Sequence, residues 1–166
     1  MVRLNVLPAA DFAVVLESIF EHSPWVAEAV AAQRPFATSA ALHAAMVGVV
    51  KAAPLDKQLT LIKSHPDLSG RLAHGETLTA ESTREQALAG LAQADAETRQ
   101  RLEGLNATYR ARFGFPFVIC ARLNKVETII GAMEKRVKNS VYEEMEAALT
   151  EISKIAQLRL RDMVED

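Results

Sequence analysis

A single cysteine, Cys120, in 166 residues leaves no internal disulfide to brace the chain and no Cys-x-x-Cys pair to hold a metal. Histidine is scarce too. Among His22, His43, His65 and His74 no two stand at i, i+4, and no His-Glu-x-x-His occurs, so a metal-dependent hydrolase would have to gather its ligands from distant segments. The chain also lacks a Gly-x-Ser-x-Gly elbow and a Gly-rich phosphate loop, which removes the basic parts of serine hydrolases, kinases and dinucleotide-binding enzymes. Neither sign of charge dominates. Nineteen Lys and Arg against 21 Asp and Glu give a net charge of −2, without the basic footprint that nucleic acid or an anionic membrane requires. The apolar runs are far too short for a membrane span, "MVRLNVLPAADF" has no apolar signal-peptide core, and "RDMVED" is not a peroxisomal signal. The expectation is a soluble cytoplasmic protein of one domain, residues 1–166, long enough to bury a core without disulfides or structural metal.

What is present is helical spacing of apolar residues almost throughout, with an alanine-rich stretch "AALHAAMVGVVKAA". The class predicted is all-α, a multi-helix bundle. Helices are expected over Ala9 to Phe20, from Ser23 as cap and Pro24 to near Arg34, from Thr38 or Ser39 to about Ala53, and from Pro54 to Ser64. Further helices are expected over Thr79 to Leu91, Asp95 to Phe113, Asn124 to Lys138, and Ser140 to about Met163. The last presents Met145, Leu149, Ile152, Ile155 or Ala156, and Leu160 as a core stripe with charge on its other side. One stretch resists the helical pattern. "FGFPFVICA" is interrupted by Gly114 and Pro116 and is predicted to be a short extended segment near 115–121, whose backbone N–H and C=O groups need partners. A neighbouring loop or a bound ligand could supply them.

Chemistry is confined to few residues. In "KSHPDL", Pro66 disfavours the α-region for His65 and so pins it at an element boundary, as a catalytic imidazole or an ordinary turn would require. In "ESTREQALAGL", Ser82-x-x-Glu85 has the form of a capping box, which competes with an acid–base role for Glu85 beside Gln86. Cys120 follows an apolar run, where cysteine behaves as a small hydrophobe. His43 reads as a partly buried helix residue, His22 as either structural or pocket-lining. Arg159, near a helix end, is by itself only a complement to the macrodipole.

Five blocks, "HSPWVAEAVAAQRPF" (22–36), "SHPDLSGRLA" (64–73), "LTAESTREQALAGL" (78–91), "LNATYRARFGFPFVICARLNK" (105–125) and "EISKIAQLRLRDMV" (151–164), resemble the decarboxylases of 2-oxo-4-hydroxy-4-carboxy-5-ureidoimidazoline (OHCU), in that family's order and over nearly the whole chain. The resemblance implies a helical homodimer that acts without metal or organic cofactor and turns OHCU into (S)-allantoin in urate breakdown. By position it implies His65 as the catalytic histidine with Glu85, and substrate contacts from Pro66, Ser82, Glu85, Gln86, the backbone of Phe117, Val118, Ile119, Cys120 and Ala121, and Arg159. The reading from a different class is a non-catalytic helical module that binds a small ureide or a protein partner.

Overall fold

The computed structural model describes residues 1–68 and 79–164. His74 and part of two of the blocks above fall outside them. The described residues hold helices and no strand: α1 (Val2–Asn5), α2 (Ala9–Leu16), α3 (Trp25–Ala31), α4 (Ser39–Ala52), α5 (Leu55–Lys63), α6 (Ala80–Leu88), α7 (Ala96–Phe113), α8 (Val126–Arg136) and α9 (Val141–Met163). Single 3₁₀ turns occupy Leu91–Gln93 and Ala121–Leu123. None of these helices is long and apolar enough to cross a membrane. The chain forms two compact units, Met1–Ser64 together with the chain from Ser153 on, and His65–Ile152.

In the first unit α2 packs on α3 and α3 on α4, around Phe12, Leu16, Val26, Val30, Leu42 and Met46, with Ile155, Ala156 and Leu160 of α9 also buried. The first long helix stops at Leu16, four residues short of the expected end, and Ile19 and Phe20 are buried from turns instead. No side-chain cap opens α3; the Ser23 carbonyl accepts from Val26 N–H while Pro24 adopts helical torsions. Thr38 does cap α4, its hydroxyl accepting from Ala41 N–H at 3.1 Å. His43 is half-buried on α4 as expected, its Nε2 2.8 Å from the Ser153 carbonyl.

The second unit is built round a buried carboxylate. Glu144, fully buried on α9, accepts hydrogen bonds from the Tyr109 hydroxyl of α7, from Arg136 Nε of α8 at 2.8 Å and from Asn139 Nδ2 at 2.8 Å. It belongs to the same stripe as Met145, Ala148 and Ile152, while Leu149 is only half-buried, so the inward face of α9 carries a charge that an apolar pattern does not predict. Burial, and then the bond to Glu144, raises the Tyr109 phenol far above its ordinary pKa and keeps it a neutral donor. Gly114 ends α7 with φ 74°, its N–H reaching the Arg110 carbonyl at 2.8 Å. Only glycine enters that left-handed conformation without strain. The chain then leaves the helix as the extended segment, with Phe113, Phe115 and Phe117 packed round the Tyr109 ring at centroid distances of 4.6, 6.0 and 5.2 Å.

Removing one partner of a buried ion pair leaves the other charge unpaired, which costs about 3–5 kcal/mol. Glu144→Ala is therefore expected to lower the unfolding free energy by roughly that amount in a urea titration. Arg101→Met, which breaks a pair with Glu134 in which both side chains are about half exposed, should cost less than about 1 kcal/mol. Equal losses for the two would remove Glu144 from the centre of the fold.

Candidate active site

The start of α6 decides between the two readings of Ser82-x-x-Glu85. Thr79 is the N-cap, its hydroxyl accepting from Ser82 N–H at 3.2 Å, so Ser82 and Glu85 both lie inside the helix. A capping box at 82–85 is thus excluded. The pattern does form one at Ser140-x-x-Glu143, where Glu143 Oε2 accepts from Ser140 N–H at 2.8 Å and the Ser140 hydroxyl accepts from Glu143 N–H at 3.3 Å. The Ser140 hydroxyl also donates to Glu143 Oε2 at 2.7 Å, and this bond, then the one from Ser140 N–H, holds the Glu143 carboxyl below its ordinary pKa. Ser82, Glu85, Gln86 and Ala89 stand at i, i+3, i+4 and i+7, and the first two are more than nine-tenths buried. The inward face of α6 is therefore polar. A helix that only stabilised the fold would turn apolar residues that way.

That face meets the other predicted elements. Gln86 Nε2 donates to the Asp67 carbonyl at 3.1 Å, which ties α6 to the turn that follows His65. His65 itself is only 5 % exposed, and Pro66 is half-buried beside it. From α7, Asn106 Nδ2 donates to the Leu68 carbonyl at 2.8 Å, and Arg110 Nε lies 2.9 and 2.7 Å from the two carboxylate oxygens of Asp67. α6 also packs against the turn Ala121–Leu123 that ends the extended segment. Ala121, expected to be extended, opens that 3₁₀ turn, and the segment proper is 116–120.

The extended segment is fixed along part of its backbone. Arg136 Nη1 donates to the Val118 carbonyl at 2.9 Å and its guanidinium covers the Phe117 ring at 4.3 Å. Cys120 N–H donates to Glu151 Oε2 at 2.8 Å, and the Cys120 carbonyl accepts from Asn124 Nδ2 at 2.9 Å. By contrast the N–H groups of Phe117, Val118 and Ile119, in residues buried to at least nine-tenths, meet no protein acceptor among the described residues. Buried N–H groups are seldom left so, and a ligand carbonyl is a fitting partner. Burial, with the charges of Glu151 and Glu85 adding to it, raises the Cys120 thiol above its ordinary pKa, which keeps it protonated and unsuited to nucleophilic attack.

Arg159 lies in the other unit. It is buried there, with Nη1 2.8 Å from Glu21 Oε2 and 3.0 Å from the Ser18 carbonyl. His22 is exposed and carries a positive φ of 46°. No group of three or more metal-ligating side chains occurs among the described residues. Reading the sequence alone passed over Asp67, Asn106, Arg110, Arg136 and Glu151, which hold the His65 turn and the extended segment. Asn106 and Arg110 do share a helix face at i, i+4, but their partners lie about 40 residues away and no local pattern announces them.

Comparison with known proteins agrees with this architecture. The family model described as OHCU decarboxylase matches residues 5–161. The 2-oxo-4-hydroxy-4-carboxy-5-ureidoimidazoline decarboxylase of Amia calva is 41% identical over 165 residues, covering 99% of this chain and 94% of the relative. That of Mus musculus is 42% identical over 164 residues, covering 99% and 92%. A crystal structure of (S)-allantoin synthase superposes with a TM-score of 0.78 at 30% identity, over 98% of this chain and 53% of that one. On a match spanning both units, the chain belongs to the OHCU decarboxylase family.

Proposed function

We propose that this chain decarboxylates 2-oxo-4-hydroxy-4-carboxy-5-ureidoimidazoline to (S)-allantoin and protonates the product on one face only. The observation that carries the proposal is the polar, buried face of α6, a helix tied at Gln86 to the turn after His65 and packed also on the end of the extended segment. The names of the relatives at 41 and 42% identity supply the substrate.

The chemistry needs no borrowed electron sink. When carbon dioxide leaves the carbon that bears the hydroxyl, its bonding pair forms a double bond to the adjacent ureido-bearing carbon, and the C=N pair of that carbon moves onto the ring nitrogen. The nitrogen takes up a proton. Ketonisation then moves the hydroxyl proton off oxygen and places one on the ureido-bearing carbon, which sets the configuration. His65 is the group that gives and takes these protons near neutral pH, and positioned transfer of this kind is worth about 10²–10⁴-fold in rate. Glu85 orients the imidazole or the substrate and favours the protonated ring. Gln86, in the segment that Ser82 opens, reads the ureido or ring amide edges, Pro66 bounds the ring, and the backbone from Phe117 to Ala121 fixes it, with the N–H groups of Phe117, Val118 and Ile119 taking its carbonyls. Arg159 enters only through its position in the terminal block, as a guanidinium that neutralises developing negative charge. The whole chain, 1–166, acts as one domain in a cytoplasmic homodimer.

The decisive assay generates the unstable substrate with urate oxidase and the preceding hydrolase and follows the optical signal of (S)-allantoin. His65→Asn should lose about 10²–10⁴-fold in rate while keeping its helical circular dichroism; near-normal turnover would refute the proton-transfer role. Glu85→Gln should lose activity with little change in melting, whereas Thr79→Ala should cost about 1 kcal/mol of stability by removing the cap. An active, destabilised Glu85→Gln would return Glu85 to a purely structural part.

A further inference from the structure

We propose that Asn106 and Arg110 are positioning residues that set the place of the His65 imidazole by clamping the two residues that follow Pro66. The inference rests on the reading of His65 as the proton-transfer group.

Residues 65–68 form neither helix nor strand, so their shape depends on what grips them from outside. Two side chains that do so stand four apart on α7: Asn106 on the Leu68 carbonyl and Arg110 on both oxygens of the Asp67 carboxylate. Gln86, which holds the Asp67 carbonyl, is already part of the site. The link from Asp67 back to His65 is stiff, because the Pro66 ring fixes its own φ and confines the backbone of the residue before it. Few torsions then remain between the clamped peptide and the imidazole. A shift of Asp67 is carried to His65 rather than absorbed.

Asn106 supplies independent support. Its side chain is more than nine-tenths buried, and its Oδ1 has no hydrogen-bond partner among the described residues. A leucine of similar size would bury no such oxygen and would suit the core better. What leucine cannot do is donate to the Leu68 carbonyl. The amide at 106 makes sense as a donor to the turn, and the unpartnered oxygen is the consequence of keeping that donor there.

The test uses Asn106→Leu, Arg110→Met, Asp67→Asn and the Asp67→Asn/Arg110→Met double variant in the full chain. Two readouts are taken: kcat and KM in the optical assay, and the His65 ring signal in ¹H–¹³C spectra, assigned by its loss in His65→Asn. A misplacement of about 1 Å can cost ~10²-fold in rate, so the expected result is a kcat lowered by up to that factor, with KM moving less and the His65 signal shifted or broadened in a folded protein. The double variant should be no slower than Arg110→Met, because the arginine acts through Asp67. Wild-type kcat and an unmoved His65 signal in folded Asn106→Leu and Arg110→Met would overturn the proposal, as would fully additive losses in the double variant. Asn106→Ala and Arg110→Gln replace any of these that does not fold, and are judged by the same outcomes. Should His65→Asn keep the wild-type rate, the catalytic reading fails by itself, and the ring signal still decides whether the clamp positions the imidazole.

Discussion

The carboxylate of Glu144, itself out of reach of water, gathers a hydroxyl from α7, a guanidinium from α8 and an amide from the turn that follows. An ionised group in such a place is tolerable only when fully paired, and here the pairing is also what arranges the site. The same Arg136 that neutralises Glu144 reaches on to the Val118 carbonyl and lies over the Phe117 ring. Tyr109, the other partner, is the ring against which Phe113, Phe115 and Phe117 pack. The extended segment, which has no sheet to belong to, takes its course from this one buried anion.

A second consequence is economy of parts. α7 serves three structures at once: its Tyr109 holds the buried anion, its Asn106 and Arg110 reach the turn after His65, and its final Gly114 releases the chain into the extended segment. The decarboxylation proposed for this chain asks only for a proton donor on one side of a planar ring and fixed dipoles around it, because the substrate's own C=N would accept the electron pair, and so small an assembly would serve it. The protein has only to keep its groups where they are.

The sequence was legible where the physics is local. Helix boundaries followed from Thr38, Pro54, Asp95 and Gly114, and the extended segment from the phenylalanines and Pro116 between α7 and α8. Local rules failed where two of them competed. Ser-x-x-Glu occurs at 82–85 and at 140–143, and only the second is a capping box, because at the first Thr79 lies one turn earlier and takes the N-cap. The missed α1 is a single turn without a side-chain cap, and the buried Glu144 goes unannounced because amphipathic patterning assigns charge to water.

By itself the sequence determined the helical class, the pinning of His65 by Pro66 and, through five blocks in order, the family. These depend on backbone torsions and neighbours within a few residues, which a string of residues records. Tertiary structure alone decided that Glu85 is buried on a polar helix face rather than employed as a cap, and that Asn106 and Arg110 grip a turn some 40 residues before them. Hydrogen bonds between remote segments depend on how helices pack, and helix packing leaves no periodic mark on the residues that make them.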